Sequence, residues 1–291
     1  MDLFNFQTPR SIPELIAAKN SANAWLLAGG TDLIPQLKED RRKAETIIDV
    51  KKIAAMTNIS AEQDGGLNIG AAVTATTIAQ SEIVCASYPA LAYSVALIGS
   101  RQVQNRASLG GNVCNAAPSA DAVPALMSYG ALANIEGTKG KRSLMVEEIF
   151  TGPGRTVLEQ DEVLASITLP ALPENTAAVY QRFTPRREMD IAVAGVSSRI
   201  TLDANSKIVD AKIALASVGP TPLRAKAAEM TLIGEVPSLK LFEAAGAAAA
   251  SDASPIDDTR GSADYRRHLV SVLCRRTLAS ATKELIQGDL P

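Results

Sequence analysis

The chain has 291 residues, 46% of them hydrophobic and 4% aromatic, enough length for a substantial buried core divided into two or three compact units. Its 29 basic and 31 acidic side chains leave a formal charge of −2, and no basic stripe interleaves with aromatic residues, which argues against nucleic acid as a partner. No run approaches the ~20 apolar residues of a membrane span, and the opening MDLFNFQTPRSIPEL lacks the basic-then-apolar pattern of a secretory signal, so a cytoplasmic location is expected.

The first elements read as a β-α-β unit. Residues 4–6 form a strand, a helix starts near Ser11 with Pro13 in its first turn and Glu14 three residues on, and residues 24–28 form a second strand. That strand runs directly into Leu26-Leu27-Ala28-Gly29-Gly30-Thr31-Asp32-Leu33, a glycine pair followed by hydroxyl and carboxylate side chains. Paired glycines let backbone N–H groups turn inward around an anion with no Cβ in the way. A diphosphate suits such fixed dipoles without lysines. An ordinary tight turn ending a strand is the alternative.

A strand follows at residues 46–50, and after the hairpin-type turn Asp64-Gly65-Gly66 another at 67–69, with helices at 74–80 and 89–98. Segment 98–121, IGSRQVQNRASLGGNVCNAAPSAD, reads as a long loop crowded with hydrogen-bonding side chains. A bound ligand with ribityl hydroxyls, phosphates and a polar heterocycle would satisfy those groups. The alternative is a solvated surface loop, against which the small residues Ala107, Gly110, Gly111, Ala116 and Ala117 point to close packing.

Short strands are expected at 131–136, 143–145 and 162–169, separated by glycine-rich turns, and residues 170–176 read as a linker. Gly152-Pro153-Gly154 is a plain turn, since it lacks the third glycine of a GxGxxG fingerprint, and no GxxxxGK[ST] occurs. ATP hydrolysis and Rossmann-type NAD binding both lose ground. Three antiparallel strands at 178–184, 192–202 and 207–217, then helices at 223–232, 238–250 and 263–287, mark a separate α+β domain from about residue 177. No repeat of about 20–50 residues is visible.

Cys85, Cys114 and Cys274 stand far apart with no CxxC, so neither a disulfide framework nor an in-chain zinc or iron–sulfur site finds its ligands. The single histidine, His268, sits in YRRHLVSVLCRR, a helix flank, and reads as structural; with one histidine most Ser-His-Asp and metal-hydrolase designs are excluded.

Four blocks in series, LLAGGTDLIPQLK, IGSRQVQNRASLGGNVCNAAPSADAVPAL, DEVLASITLP and RFTPRREMDIAVAGV, resemble the FAD-binding subunit or domain of the xanthine dehydrogenase and carbon monoxide dehydrogenase family, in the family's order and from near Phe4 to the C-terminus. The resemblance implies an α+β chain with the two-subdomain FAD-binding fold of the vanillyl-alcohol oxidase and p-cresol methylhydroxylase type. The FAD-binding domain would cover residues 1–173 (subdomains about 1–56 and 57–173), and a C-terminal α+β domain, a three-stranded antiparallel sheet plus helices, residues 177–291.

Carried over by position, Leu26, Leu27, Ala28, Gly29, Gly30, Thr31, Asp32 and Leu33 would wrap the FAD diphosphate. Ala107, Ser108, Gly111, Asn112, Cys114, Asn115 and Asp121 would line the rest of the cofactor, with Ile98 near the isoalloxazine ring, Val163 and Leu164 touching one end through the main chain, and Arg182 near the ring. Arg182 stands where some relatives have lysine. Segment 186–190, RREMD, matches a loop that in some relatives lies beside the flavin; Met189 stands where certain NAD-using members are acidic, and a solvated turn is the alternative reading.

The resemblance also implies partners: a small iron–sulfur subunit with [2Fe–2S] clusters, a large subunit with the molybdenum cofactor, and a small-molecule electron acceptor. The extra cysteines of members with a further cluster in this subunit are missing here. No side chain of this chain need then be an acid, base or nucleophile, and the FAD is expected to be non-covalent. Two alternatives stand beside this reading. One is a self-sufficient FAD-dependent reductase, which would need its own proton donor; the other is a non-redox nucleotide-binding module.

Overall fold

The computed structural model describes residues 3–21 and 23–286. Its first unit consists of β1 (Asn5–Gln7), α1 (Ile12–Lys19), β2 (Ala24–Leu27), α2 (Leu33–Lys38) and β3 (Thr46–Asp49). Ser11 caps α1 by accepting the Glu14 N–H at 3.3 Å, Glu14 accepts the Arg10 N–H at 2.9 Å, and Pro13 occupies the first turn, where its missing donor costs nothing. The three strands are parallel in the order β1-β3-β2, so each step between neighbours needs a crossover, and the helices provide it. β2 is left at the edge. Ile47 and Ile48 of β3 are buried, whereas β2 is only half-buried along its length.

The second unit opens with α3 (Ala54–Thr57), β4 (Ile59–Ala61) and β5 (Leu67–Gly70). The turn between the two strands contains Asp64-Gly65-Gly66, with Gly65 at φ +89° and the Asp64 carboxylate accepting the Gly66 N–H at 2.9 Å. Six helices follow: α4 (Ala75–Gln80), α5 (Glu82–Ser87), α6 (Pro89–Ala96), α7 (Arg101–Gln104), α8 (Leu109–Cys114) and α9 (Ala122–Tyr129). Then come β6 (Leu132–Gly137), β7 (Gly140–Met145), β8 (Phe150–Gly152), β9 (Arg155–Thr156) and β10 (Val163–Leu169). An antiparallel sheet of order β4-β5-β10-β6-β7 results, with β10 at its centre and buried at every residue but Thr168.

Segment 98–121 is therefore not the long loop expected from sequence. Two short helices occupy it, and its backbone is stitched to residues 71–75: Ala75 N–H to Ala107 O at 2.8 Å, Leu109 N–H to Val73 O at 3.1 Å, and Gly110 N–H to Ala71 O at 2.8 Å. Only glycine permits that approach at position 110, where a Cβ would fall 2.7 Å from the Ala71 carbonyl oxygen.

The third unit has four strands rather than three: β11 (Thr176–Phe183), β12 (Ala194–Leu202), β13 (Ile208–Ala216) and the short β14 (Leu223–Arg224), antiparallel and in that order. The helix expected from residue 223 begins later, as α10 (Lys226–Leu232), because Leu223 and Arg224 pair with Leu215 and Ala214. Glu229 ties the two elements together by accepting the Ile213 N–H at 2.8 Å and binding Arg224 through both carboxylate oxygens. α11 (Leu239–Asp252) and α12 (Ala263–Leu285) complete the unit; Gln287, the expected end of the last helix, lies outside the described residues.

All nine residues of β12 are buried, although four are polar or charged. Each of the four has a partner: Ser197 meets Ser128 of α9 at 2.8 Å, Ser198 meets Thr277 of α12 at 2.7 Å, Thr201 meets Thr176 at 2.8 Å, and Arg199 pairs with Asp210, with its Nε left unbonded. β12 is thus a packed layer, with α12 on one face and α9 on the other.

Candidate functional site

A cleft of about 920 Å³ runs between the first two units, and the third unit contributes residues 189–191 to its mouth. Of the nineteen residues expected at a cofactor, seventeen line it. They come from widely separated parts of the chain: the end of β2 and the turn after it, residues 98–121, and the start of β10.

The two glycine segments meet in this cleft. A Cβ on Gly29 would lie 2.1 Å from the Arg106 carbonyl oxygen and 2.9 Å from Ala107 Cα, so the first turn rests directly on the backbone of the second segment. Gly30 turns the chain at φ +76°, and α2 starts at once, its first bonds running from Ile34 N–H to Gly30 O and from Gln36 N–H to Asp32 O, both at 3.1 Å. Behind the turn, Lys51 donates to the Ala28 carbonyl at 3.0 Å and to Asp49 at 2.6 Å, a strut that fixes where the strand ends. Across the cleft Ser108 caps α8 by accepting the Gly111 N–H at 3.1 Å.

Asn112 offers the cleft an acceptor that has no partner in the protein. Its Oδ1 is buried in the cleft wall with no hydrogen-bond partner, a costly arrangement unless a ligand hydroxyl or amine donates to it. The small residues, the orphaned acceptor and the volume of the cleft fit an extended molecule with hydroxyls and phosphates. Cys114 opens onto the cleft as a free, exposed thiol; desolvation by the surrounding chain pushes it up to about 11, against the opposing pull of Lys19.

Asp121 also lines the cleft. Its carboxylate accepts the Tyr180 hydroxyl at 2.8 Å and Arg182 Nη1 at 2.5 Å. Burial pushes its pKa up to about 6, against the lowering effect of Arg182 and Tyr180. Arg182, expected beside a ring, is one of the two residues outside the cleft lining; it lies behind Asp121 in an ion pair that is almost wholly buried. Leu27 is the other, and it backs the Gly30 turn through its side chain. The 186–190 loop does reach the cleft through Met189 and Asp190; Met189, at φ +53°, donates its N–H to the Gly99 carbonyl at 3.4 Å.

Not foreseen from the sequence are Lys19, Trp25, Gln36, Arg42, Thr156, Leu158, Glu159, Gln160 and Glu162, all of which line the same cleft. Trp25, the sole tryptophan, carries the Arg42 guanidinium 4.2 Å above its ring and donates Nε1–H to Lys43 O at 2.9 Å. Nearby, burial pushes the Asp32 carboxyl up while Arg42 works against that. One signal was available: Trp25 is a large aromatic on the strand that leads into the glycine turn, among aliphatic neighbours. Among the described residues, no group of three or more His, Cys, Asp and Glu side chains could hold a metal ion, and no helix is long and apolar enough to cross a membrane.

Comparison with known proteins places this geometry in context. Residues 2–172 match the family described as the FAD binding domain in molybdopterin dehydrogenase, and residues 179–281 match the CO dehydrogenase flavoprotein C-terminal domain. The chain is 31% identical over 284 residues to the xanthine dehydrogenase FAD-binding subunit of Escherichia coli O157:H7, spanning 96% of this chain and 97% of that one. It is also 31% identical over 280 residues to the carbon monoxide dehydrogenase medium chain of Hydrogenophaga pseudoflava, spanning 96% of each. A solved structure of carbon monoxide dehydrogenase from Hydrogenophaga pseudoflava, in a form lacking the Mo-pyranopterin moiety of the molybdenum cofactor, superimposes with a TM-score of 0.93 over 98% of this chain and 99% of that chain.

Proposed function

The chain belongs to the FAD-binding, medium-subunit family of the molybdenum hydroxylases, whose members are parts of oxidoreductases, and from that premise we propose that FAD lies along the cleft and that the chain relays electrons within a larger assembly. Gly29, Gly30 and Thr31 hold the diphosphate by backbone N–H groups turned inward. Ser108, Gly111, Asn112 and Asn115 face the sugar and ribityl hydroxyls, with the orphaned Asn112 Oδ1 accepting from one of them. Ile98 and Asp121 lie at the ring end, while Val163 and Leu164 bound the other wall. Leu26, Leu27, Ala28, Asp32 and Leu33 shape the turn, Ala107 carries the second segment past it, and Arg182 acts through Asp121. The FAD-binding domain spans residues 1–173 and the C-terminal domain residues 177–291.

FAD supplies, when bound, a carrier that exchanges electrons singly on one side and in pairs on the other. This chain binds it, orients it, keeps water from one of its walls and sets the charge around it. The FAD is held without a covalent bond. The partners are a small subunit carrying [2Fe–2S] clusters and a large subunit carrying the molybdenum cofactor. The terminal acceptor is a small molecule, and the assembly works in the cytoplasm.

One observation carries the reading: two glycine segments some eighty residues apart face each other across a single cleft, with Gly29 seated on the Arg106 backbone. Purified protein should be yellow and release intact FAD on acid precipitation. Colourless protein that takes up no added FAD overturns the reading, and flavin that stays with the acid precipitate overturns its non-covalent part. Purification from the native host should bring down iron- and molybdenum-containing chains; recovery of this chain alone removes the assembly.

A further inference from the structure

The cleft is lined by a cation that belongs to neither glycine segment. Lys19, in the last turn of α1, extends its ammonium out of the parallel-sheet unit to the segment that leads into β10. There it donates to the carbonyl oxygens of Gln160 at 2.8 Å, Glu162 at 2.5 Å and Glu159 at 3.5 Å. An ammonium has three hydrogens to donate and no lone pair to offer, so three converging carbonyls match it fully.

The receiving segment is itself held in place. The Glu162 carboxylate binds Arg142 Nε and Nη2, both at 2.7 Å, and accepts the Glu159 N–H at 2.9 Å; Arg142 also donates to Val157 O at 3.2 Å. Lys19 therefore grips a preformed receptor rather than a loose loop. Lys19, Glu159, Gln160 and Glu162 all line the cleft, next to Val163 and Leu164. The bonds join a residue of the first unit to residues of the second, and both partners line the cleft between them.

We propose that Lys19 is a latch across the cleft, a positioning residue that keeps the two walls together over the bound dinucleotide and slows its escape. The proposal rests on the reading of the cleft as an FAD site. It assigns Lys19 no contact with the flavin ring and no part in electron transfer.

The test follows FAD release from the full-length holoprotein diluted into an excess of a flavin scavenger, reading the recovery of Trp25 fluorescence. Trp25 is the sole tryptophan and lines the same cleft, so bound flavin quenches it. Lys19→Met should release FAD about tenfold faster or more, the scale of lost hydrogen bonds to a charged donor. Lys19→Arg, which keeps a cation with several donors, should fall between Met and wild type. The FAD-free Lys19→Met protein should melt close to FAD-free wild type. Release from Lys19→Met at the wild-type rate overturns the latch, as does a lowered melting temperature of the FAD-free protein without faster release, which would make Lys19 merely structural. If Lys19→Met does not accumulate, Lys19→Gln carries the same expectation and the same refutation. Wild-type protein that holds no FAD at all removes the cofactor reading, and the latch with it.

Discussion

Gly29 has no room for a methyl group. The atoms in its way are the carbonyl of Arg106 and the Cα of Ala107, both backbone, so nothing can swing aside. Gly29→Ala should force the two glycine segments apart, cost about 1–3 kcal/mol of stability and leave protein without bound FAD. Gly140→Ala is the control: at φ +116° it strains the backbone too, but nothing lies within 4 Å and the turn is away from the cleft; FAD content should be unchanged there. Flavin retained by Gly29→Ala at the wild-type level would show that the segments need not touch. Asp121 supports a second prediction, on pH. Its folded pKa, about 6, lies above the ordinary carboxylate value, so the folded state binds more protons than the unfolded one between the two values. Its contribution to stability is thus fully present at low pH and lost as pH rises through about 6. Unfolding free energies measured from about pH 4 to 6 should show that falling component in wild type and lack it in Asp121→Asn; equal slopes in the two proteins would refute it. Glycine pairs and a polar, small-residue segment made the cleft walls legible in the sequence. Lys19 was not legible, because its carbonyl partners lie 140 to 143 residues away and carbonyls leave no mark in a sequence.

α8 shows how a short element escapes a reading based on periodicity. Six residues make too few turns for an apolar stripe to repeat, and two of the six are glycines with poor helix propensity. What fixes it is local: the Ser108 cap, and the close approach to residues 71–73 that glycine permits. Ser108→Ala should therefore cost about 1 kcal/mol, the usual worth of such a cap, and lower FAD affinity by loosening the wall that carries Gly111 and Asn112. Denaturant midpoints and FAD titration would check both effects, and an unchanged midpoint would mean that packing alone holds α8. Longer elements were legible because their patterns repeat: β10, β11, β12 and β13 all overlap the strands expected for them. The start of α10 was misread for the opposite reason. Leu223 and Arg224 fit a helical pattern, but pairing with β13 supplies hydrogen bonds that a first helical turn lacks.

At the scale of the molecule, α9 joins what the sequence separates. All eight of its residues are buried, and it packs on β11, β12 and β13 as well as on α6 and α8. Polar contacts reinforce the junction: Ser128 with Ser197, Asp121 with Tyr180 and Arg182, Glu147 with Arg224, and the Ser217 N–H with the Pro118 carbonyl at 2.8 Å. The family matches divide the chain near residue 175, yet the cut would run along a buried helix and strip Asp121 of both its partners. A buried carboxylate that loses its cation costs about 3–5 kcal/mol, and the bared face of α9 adds an apolar patch of the kind that drives association. A fragment ending at residue 173 should consequently be poorly soluble and bind FAD weakly, if at all, even though it contains the whole glycine-lined part of the cleft. The full chain should unfold in one transition, with Trp25 fluorescence, which reports on the first unit, and far-ultraviolet circular dichroism, which reports on all three, changing together. A soluble 1–173 fragment with the FAD affinity and melting temperature of the intact protein would contradict this: the third unit would then be an appendage, and the cation behind Asp121 would be irrelevant to the cleft.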